Sequence, residues 1–132
     1  MQAFPEGVRN VWTFEDFEIS LRPTSMIMVR VLIGKVADVK RLREAFARTP
    51  IRAGTQGYEA WNCVYWAQEA LSYAAHDGKA LGTCHTDWAH VRDTVMWYIA
   101  RKVAEHRFDG QVQFDPNKIA TWDALEGKEI SA

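Results

Sequence analysis

Apolar and polar positions are patterned most clearly over SMIMVRVLIGKV, residues 25–36. Ile27, Val29, Val31 and Ile33 put β-branched side chains on one face of an extended chain, and Met26, Met28, Arg30 and Leu32 fall on the other. A strand apolar on nearly both faces belongs inside a sheet. The earlier run VWTFEDFEI, Val11 to Ile19, is rich in strand formers but its alternation is broken by Glu15, Asp16 and Glu18. It predicts a first strand, bulged near Glu15 and Asp16. Arg22, Pro23 and Thr24 make the turn between the two. Residues 1–10, with Pro5 and Gly7, read as irregular.

After Gly34 the period becomes helical. Asp38 is placed to cap a helix running to about Arg48, with Val39, Leu42, Ala45 and Phe46 as its apolar stripe and Pro50 as its stop. A loop carrying Gly54 and Gly57 leads into WNCVYWAQEALSYAAHDG. There Asn62 is a good N-cap and Gly78 a stop. Only Gln68, Glu69 and Ser72 are plainly polar between them, and a helix apolar over most of its circumference is expected to be central. Thr86 is the predicted cap of a third helix reaching about His106, striped by Trp88, Val91, Val95, Ile99 and Val103. Its wet side is Arg92, Asp93, Arg101 and Glu105. The tail, 111–132, is expected to pack across the body, with Thr121 capping one short turn. The order β-β-α-α-α predicts an α+β fold, a short sheet followed by three helices, in a single domain over residues 1–132.

Composition narrows the function classes. A chain of 132 residues with 48% apolar and 25% charged residues can bury a core without disulfides or metal. Its formal net charge of -1 argues against a nucleic-acid partner. Two cysteines are too sparse for a stapled secreted domain, and the N-terminal MQAFPEGVRN has no apolar signal core. No run approaches the ~20 apolar residues of a membrane span. A cytoplasmic setting is the expectation. Six tryptophans suggest either a large aromatic core or a ligand pocket. Lys35, Lys40, Arg41, Arg43, Arg48 and Arg52 read as a solvated basic face.

Candidate chemistry centres on Cys63. Behind an Asn62 cap it is the first helical residue, where unpaired backbone N–H groups and the helix dipole favour a thiolate. A thiolate is the nucleophile of thiol hydrolases and acyltransferases, and the same N–H groups can hold an oxyanion. The competing reading is a small hydrophobe in an aromatic nest. A base for Cys63 must come from elsewhere. His76 lies 13 residues along the same helix, about 20 Å away at 1.5 Å per residue. His85 and His90, flanking the start of the third helix near Asp87, are the candidates. Cys63, Cys84, His85 and His90 are ligand types that suit zinc, but no C-x-x-C pair exists and Cys84 and His85 are adjacent. No Gly-rich phosphate loop or G-x-S-x-G elbow occurs. No metal or cofactor is expected.

The order strand, strand, then a helix opening with Asn62-Cys63 resembles the circularly permuted papain-like group, which includes lecithin:retinol acyltransferase-type enzymes and the desumoylating isopeptidases. The resemblance implies acyl transfer or amide and ester hydrolysis through a thioester at Cys63. In that pattern the base histidine sits on a strand ahead of the Asn-Cys helix, whereas this chain has no histidine before Cys63. The implied site is therefore inactive or dependent on a partner. From Trp12 to Glu129 the chain also resembles a family of uncharacterised fungal proteins, through VWTFEDFE, RVLIGKV, WNCVYWAQEAL, Asp87-Trp88 and TWDALEGKE. Family members appear longer at the N-terminus, which implies a shortened chain with an open sheet edge and a homodimer formed through it.

Two functions follow from these residues. One is a papain-like thiol site, Cys63 with Asn62 and either His85 or His90. The other is a non-catalytic binding module, in which Trp61, Tyr65, Trp66 and Trp88 hold a small apolar ligand or a protein partner.

Overall fold

A computed structural model of the chain describes residues 12–16 and 27–132. Its elements run β1 (Val29–Leu32), β2 (Gly34–Val36), α1 (Val39–Arg48), α2 (Cys63–Asp77), β3 (Leu81–Cys84), α3 (Trp88–Ala104), β4 (Ala120–Asp123) and β5 (Lys128–Ser131). Small sheets of two and three strands with three helices make an α+β arrangement. The chain divides into two compact units, residues 1–18 with 36–81 and residues 19–35 with 82–132. β2 and β3 pair in the two-stranded sheet, and the chain passes from one unit to the other within each of them.

The first unit is built on α1 and α2. Asp38 caps α1 by accepting from the Arg41 N–H, and Asn62 caps α2 by accepting from the Val64 N–H. Gly78 ends α2 in the left-handed region, φ 79°, which an L side chain resists. Both helices thus start and stop where their local signals place them. They run antiparallel: the Arg41 guanidinium forks onto the Asp77 carboxylate at 2.8 and 3.1 Å, while Phe46 meets Trp66 near the opposite ends. Small side chains (Ala45, Ala70 and Ala74) are buried where α1 and α2 pack. The Arg41 donors hold the Asp77 carboxyl below its ordinary value.

The second unit packs α3 on a three-stranded sheet ordered β1-β4-β5. β1 runs parallel to β4 in the register Val29 to Ala120 through Leu32 to Asp123. β4 turns back antiparallel into β5, with an irregularity between Thr121 and Trp122. Asp123 makes that hairpin: its Oδ1 accepts from the Leu125 and Glu126 N–H groups and its carbonyl from Gly127, which has φ 67°. The centre is polar as well as aromatic. Tyr98 and Lys102 are completely buried. Lys102 Nζ donates to Glu129 and Glu105 at 2.7 Å each, and Tyr98 Oη donates to Glu129 at 2.7 Å. Burial acts to raise the Glu129 carboxyl, but the Lys102 and Tyr98 donors outweigh it and hold the group below its ordinary value. Tyr98 is pushed well up, first by burial and then by Glu129.

Several expectations are corrected here. Residues 12–16, the described part of the expected first strand, form no regular element, and residues 1–11 and 17–26 lie outside the described residues. The long second strand is two short ones broken at Ile33, and β1 lies at the edge of its sheet among the described residues instead of inside it. The cap of α3 is Asp87, one residue beyond Thr86. Residues 120–131 of the tail form β4 and β5, so Thr121 is a strand residue and not a helix cap. α2 is less covered than its composition implied: Val64 and Tyr65 are half exposed, at 51% and 50%. Within α3 the buried positions are Val91, Tyr98 and Lys102, while Val103 of the expected stripe is exposed.

Candidate functional site

The head of α2 gathers the aromatic residues of the first unit. The loop before it descends in successive turns, Thr55 N–H to the Arg52 carbonyl, Tyr58 to Thr55 and Trp61 to Tyr58. Gly54 and Gly57 supply the positive φ values, 81° and 89°, that such a path needs. Arg52 clamps the loop to α2 by a forked pair with Glu69 at 2.6 and 2.8 Å, and its guanidinium lies 5.0 Å from the Tyr58 ring centre. The fork keeps Glu69 ionised, its carboxyl held down by the Arg52 hydrogen bonds.

This path sets Trp61 edge-on to Trp12, with ring centres 5.5 Å apart and planes at 85°. Phe14 lies 5.9 Å from Trp66, with planes at 36°. Between them is a hollow of about 400 Å³. The described residues lining it are Trp12, Thr13, Phe14, Glu15, Ile51, Trp61, Cys63 and Trp66. A second hollow of about 540 Å³, lined by loop residues 53–56, Tyr58 and Glu59, shares Trp12 and Trp61 with the first. The Trp61 indole N–H is buried and meets no acceptor among the described residues. An orphaned buried donor costs about 1–3 kcal/mol, so an acceptor brought to it is stabilising.

Of the residues singled out in the sequence, Trp61, Trp66, Cys63 and its cap Asn62 come together here. Cys63 is an exposed free thiol. Tyr65 lines a separate hollow of about 370 Å³ with Trp61, Gln68 and Glu69. Trp88, His85 and His90 belong to the second unit. His85 Nε2 is engaged by the Ala124 carbonyl at 2.9 Å, and its ring lies against His90 with centres 4.8 Å apart. Cys84 Sγ reaches the His85 carbonyl at 3.4 Å, and burial pushes its thiol up, the opposite of activation. Among the described residues no three His, Cys, Asp or Glu side chains are grouped to hold a metal ion. None of the described helices is long and apolar enough to cross a membrane.

The sequence reading missed Trp12, Phe14, Glu15 and Ile51 as wall residues. The signal was present: aromatic side chains at i and i+2 in an extended run fall on one side of it. The strand expected over Val11 to Ile19 contains Trp12, Phe14 and Glu15, and Ile51 falls between the expected first helix and the glycine loop.

The α+β arrangement defines the structural class. The chain belongs to the family of unknown function DUF6914, whose profile matches residues 2–131. No curated protein and no solved structure matches it significantly.

Proposed function

We propose that the protein is a non-catalytic binding module whose hollow at the head of α2 takes a small ligand with a large apolar face. The observation that carries this reading is the wall: four aromatic rings and Ile51 around about 400 Å³, with few polar groups among them. Ligand sites are commonly of this size and lining, with a handful of polar groups to orient the guest. Thr13, Glu15 and Cys63 supply those groups.

The second reading keeps Cys63 as the nucleophile of a permuted papain-like site. Its support is the accessible thiol at the first position of a capped helix, beside a hollow that an acyl chain could enter. A thiol hydrolase also needs a base within hydrogen-bond reach. The single histidine of the Cys63 unit is His76, thirteen residues along α2 and hydrogen-bonded through Nδ1 to the Ser72 carbonyl. The binding reading makes no such demand and is preferred.

Titration with a neutral aromatic probe, benzyl alcohol, tests it by NMR of the indole N–H groups. Saturable shifts at Trp12, Trp61 and Trp66, abolished when Cys63 is capped with N-ethylmaleimide in a Cys84→Ser background, are expected. Ester or thioester hydrolysis that disappears in Cys63→Ser would transfer the assignment to the thiol reading.

A further inference from the structure

We infer that the ligand of this hollow is a small organic cation, an alkylated ammonium, and not a neutral apolar molecule. The inference rests on the binding reading above and specifies its ligand.

Four rings wall the hollow: Trp12, Phe14, Trp61 and Trp66. The Trp12–Trp61 planes stand at 85° and the Phe14–Trp66 planes at 36°, so neither pair is a parallel stack. Aromatic faces carry negative quadrupole potential, and several of them around one volume attract a bulky, weakly hydrated cation. Elsewhere the chain fills such positions with its own side chains. Arg52 sits over Tyr58, Arg101 over Trp97 and Trp122, Lys102 over Tyr98, and Arg107 over Phe114. The four rings of the hollow have no such cation among the described residues. Glu15 is the one charged residue among those lining it, and it has no cationic partner among the described residues. An aromatic box with a carboxylate in its wall, and no cation over its rings among the described residues, is complementary to positive charge.

One feature opposes this. The N-terminus of α2 at Cys63 favours an anion, with roughly half an elementary charge. Its Val64 N–H is already taken by Asn62 Oδ1 at 3.0 Å. An anionic guest would also face the Glu15 carboxylate and the negative faces of the rings. The balance favours the cation.

Choline and its neutral isostere 3,3-dimethylbutan-1-ol separate charge from shape. Their affinities for the full chain are read from the indole N–H shifts of Trp12, Trp61 and Trp66. Choline should bind about tenfold more tightly than the alcohol. Glu15→Gln should reduce that advantage severalfold, and indole N–H positions of the ligand-free variant that match those of the parent chain show that the hollow is intact. Equal binding of the two probes, or tighter binding of the alcohol, overturns the cation assignment and leaves the apolar site standing. If neither probe shifts these indoles at tens of millimolar, the binding reading falls as well.

Discussion

Lys102 shows what single residues contribute. Its side chain is fully buried, and its charge is met by Glu105 and Glu129. Removing the counter-charges from a buried ion is far more costly than removing the ion with them. Each of Glu105→Gln and Glu129→Gln leaves one carboxylate in place, so each alone should be tolerated better than the pair together. The double variant should lose about 3–5 kcal/mol, and adding Lys102→Met should recover most of it. Denaturant unfolding checks this, and a triple variant no more stable than the double would contradict it. The same network sets an acid limit. Glu129 titrates below the ordinary glutamate value of 4.5, so its contribution is complete above that pH and is lost as pH falls through the lower folded value. Acid unfolding of the second unit should therefore be less steep in Lys102→Met than in the parent chain. Nothing in the sequence pointed to this cluster, because Lys102 falls beside the apolar stripe of α3 and its partners Tyr98 and Glu129 are 4 and 27 residues away. Gly34 is another residue whose role depends on a distant partner. It opens β2 against Cys84, where an added Cβ would lie 2.9 Å from the Cys84 Cα. Gly34→Ala should cost about 1–3 kcal/mol, and Cys84→Ala should not rescue it, because the clash includes backbone.

At the scale of elements, what was legible follows from how local each signal is. α1 and α2 could be bounded from sequence because Asp38, Asn62 and Gly78 each act within three residues of a helix end. Asn62→Ala should lower stability by about 1 kcal/mol, seen as a fall of a few degrees in melting temperature. β3, β4 and β5 are only four residues each, too short for alternation to register against noise, and β3 and β4 pair with β2 and β1 far back along the chain. Ala120 to Asp123 became a strand because β1 and β5 flank it, which the run ATWD does not announce. The apolar composition of α2 was legible, but not its exposure. A helix surface reveals its apolar area and not what covers it, and Val64 and Tyr65 remain half in water. Half of the candidate site shares this limit: Cys63, Trp61 and Trp66 are close in sequence and were singled out together, whereas Trp12, Phe14 and Ile51 join them only through the fold.

At the scale of the whole chain, membership of DUF6914 covers nearly every residue and assigns no activity, so the account of function rests on the hollow. The proposed homodimer belongs at this scale too. Among the described residues, the outer edges of β1 and β5 have no strand paired to them, and open edges template pairing between copies. Light scattering across a concentration series should show a dimer, and a monomer at the highest concentrations would remove that proposal. The central claim is that the head of α2 is a ligand-binding site. Its most direct test uses Cys63, which lines the hollow. In a Cys84→Ser background, the rate of Cys63 labelling by N-ethylmaleimide is measured against increasing choline. The account predicts a saturable slowing that tracks the occupancy seen at the indole N–H groups. A labelling rate unchanged while choline rises to tens of millimolar would contradict it.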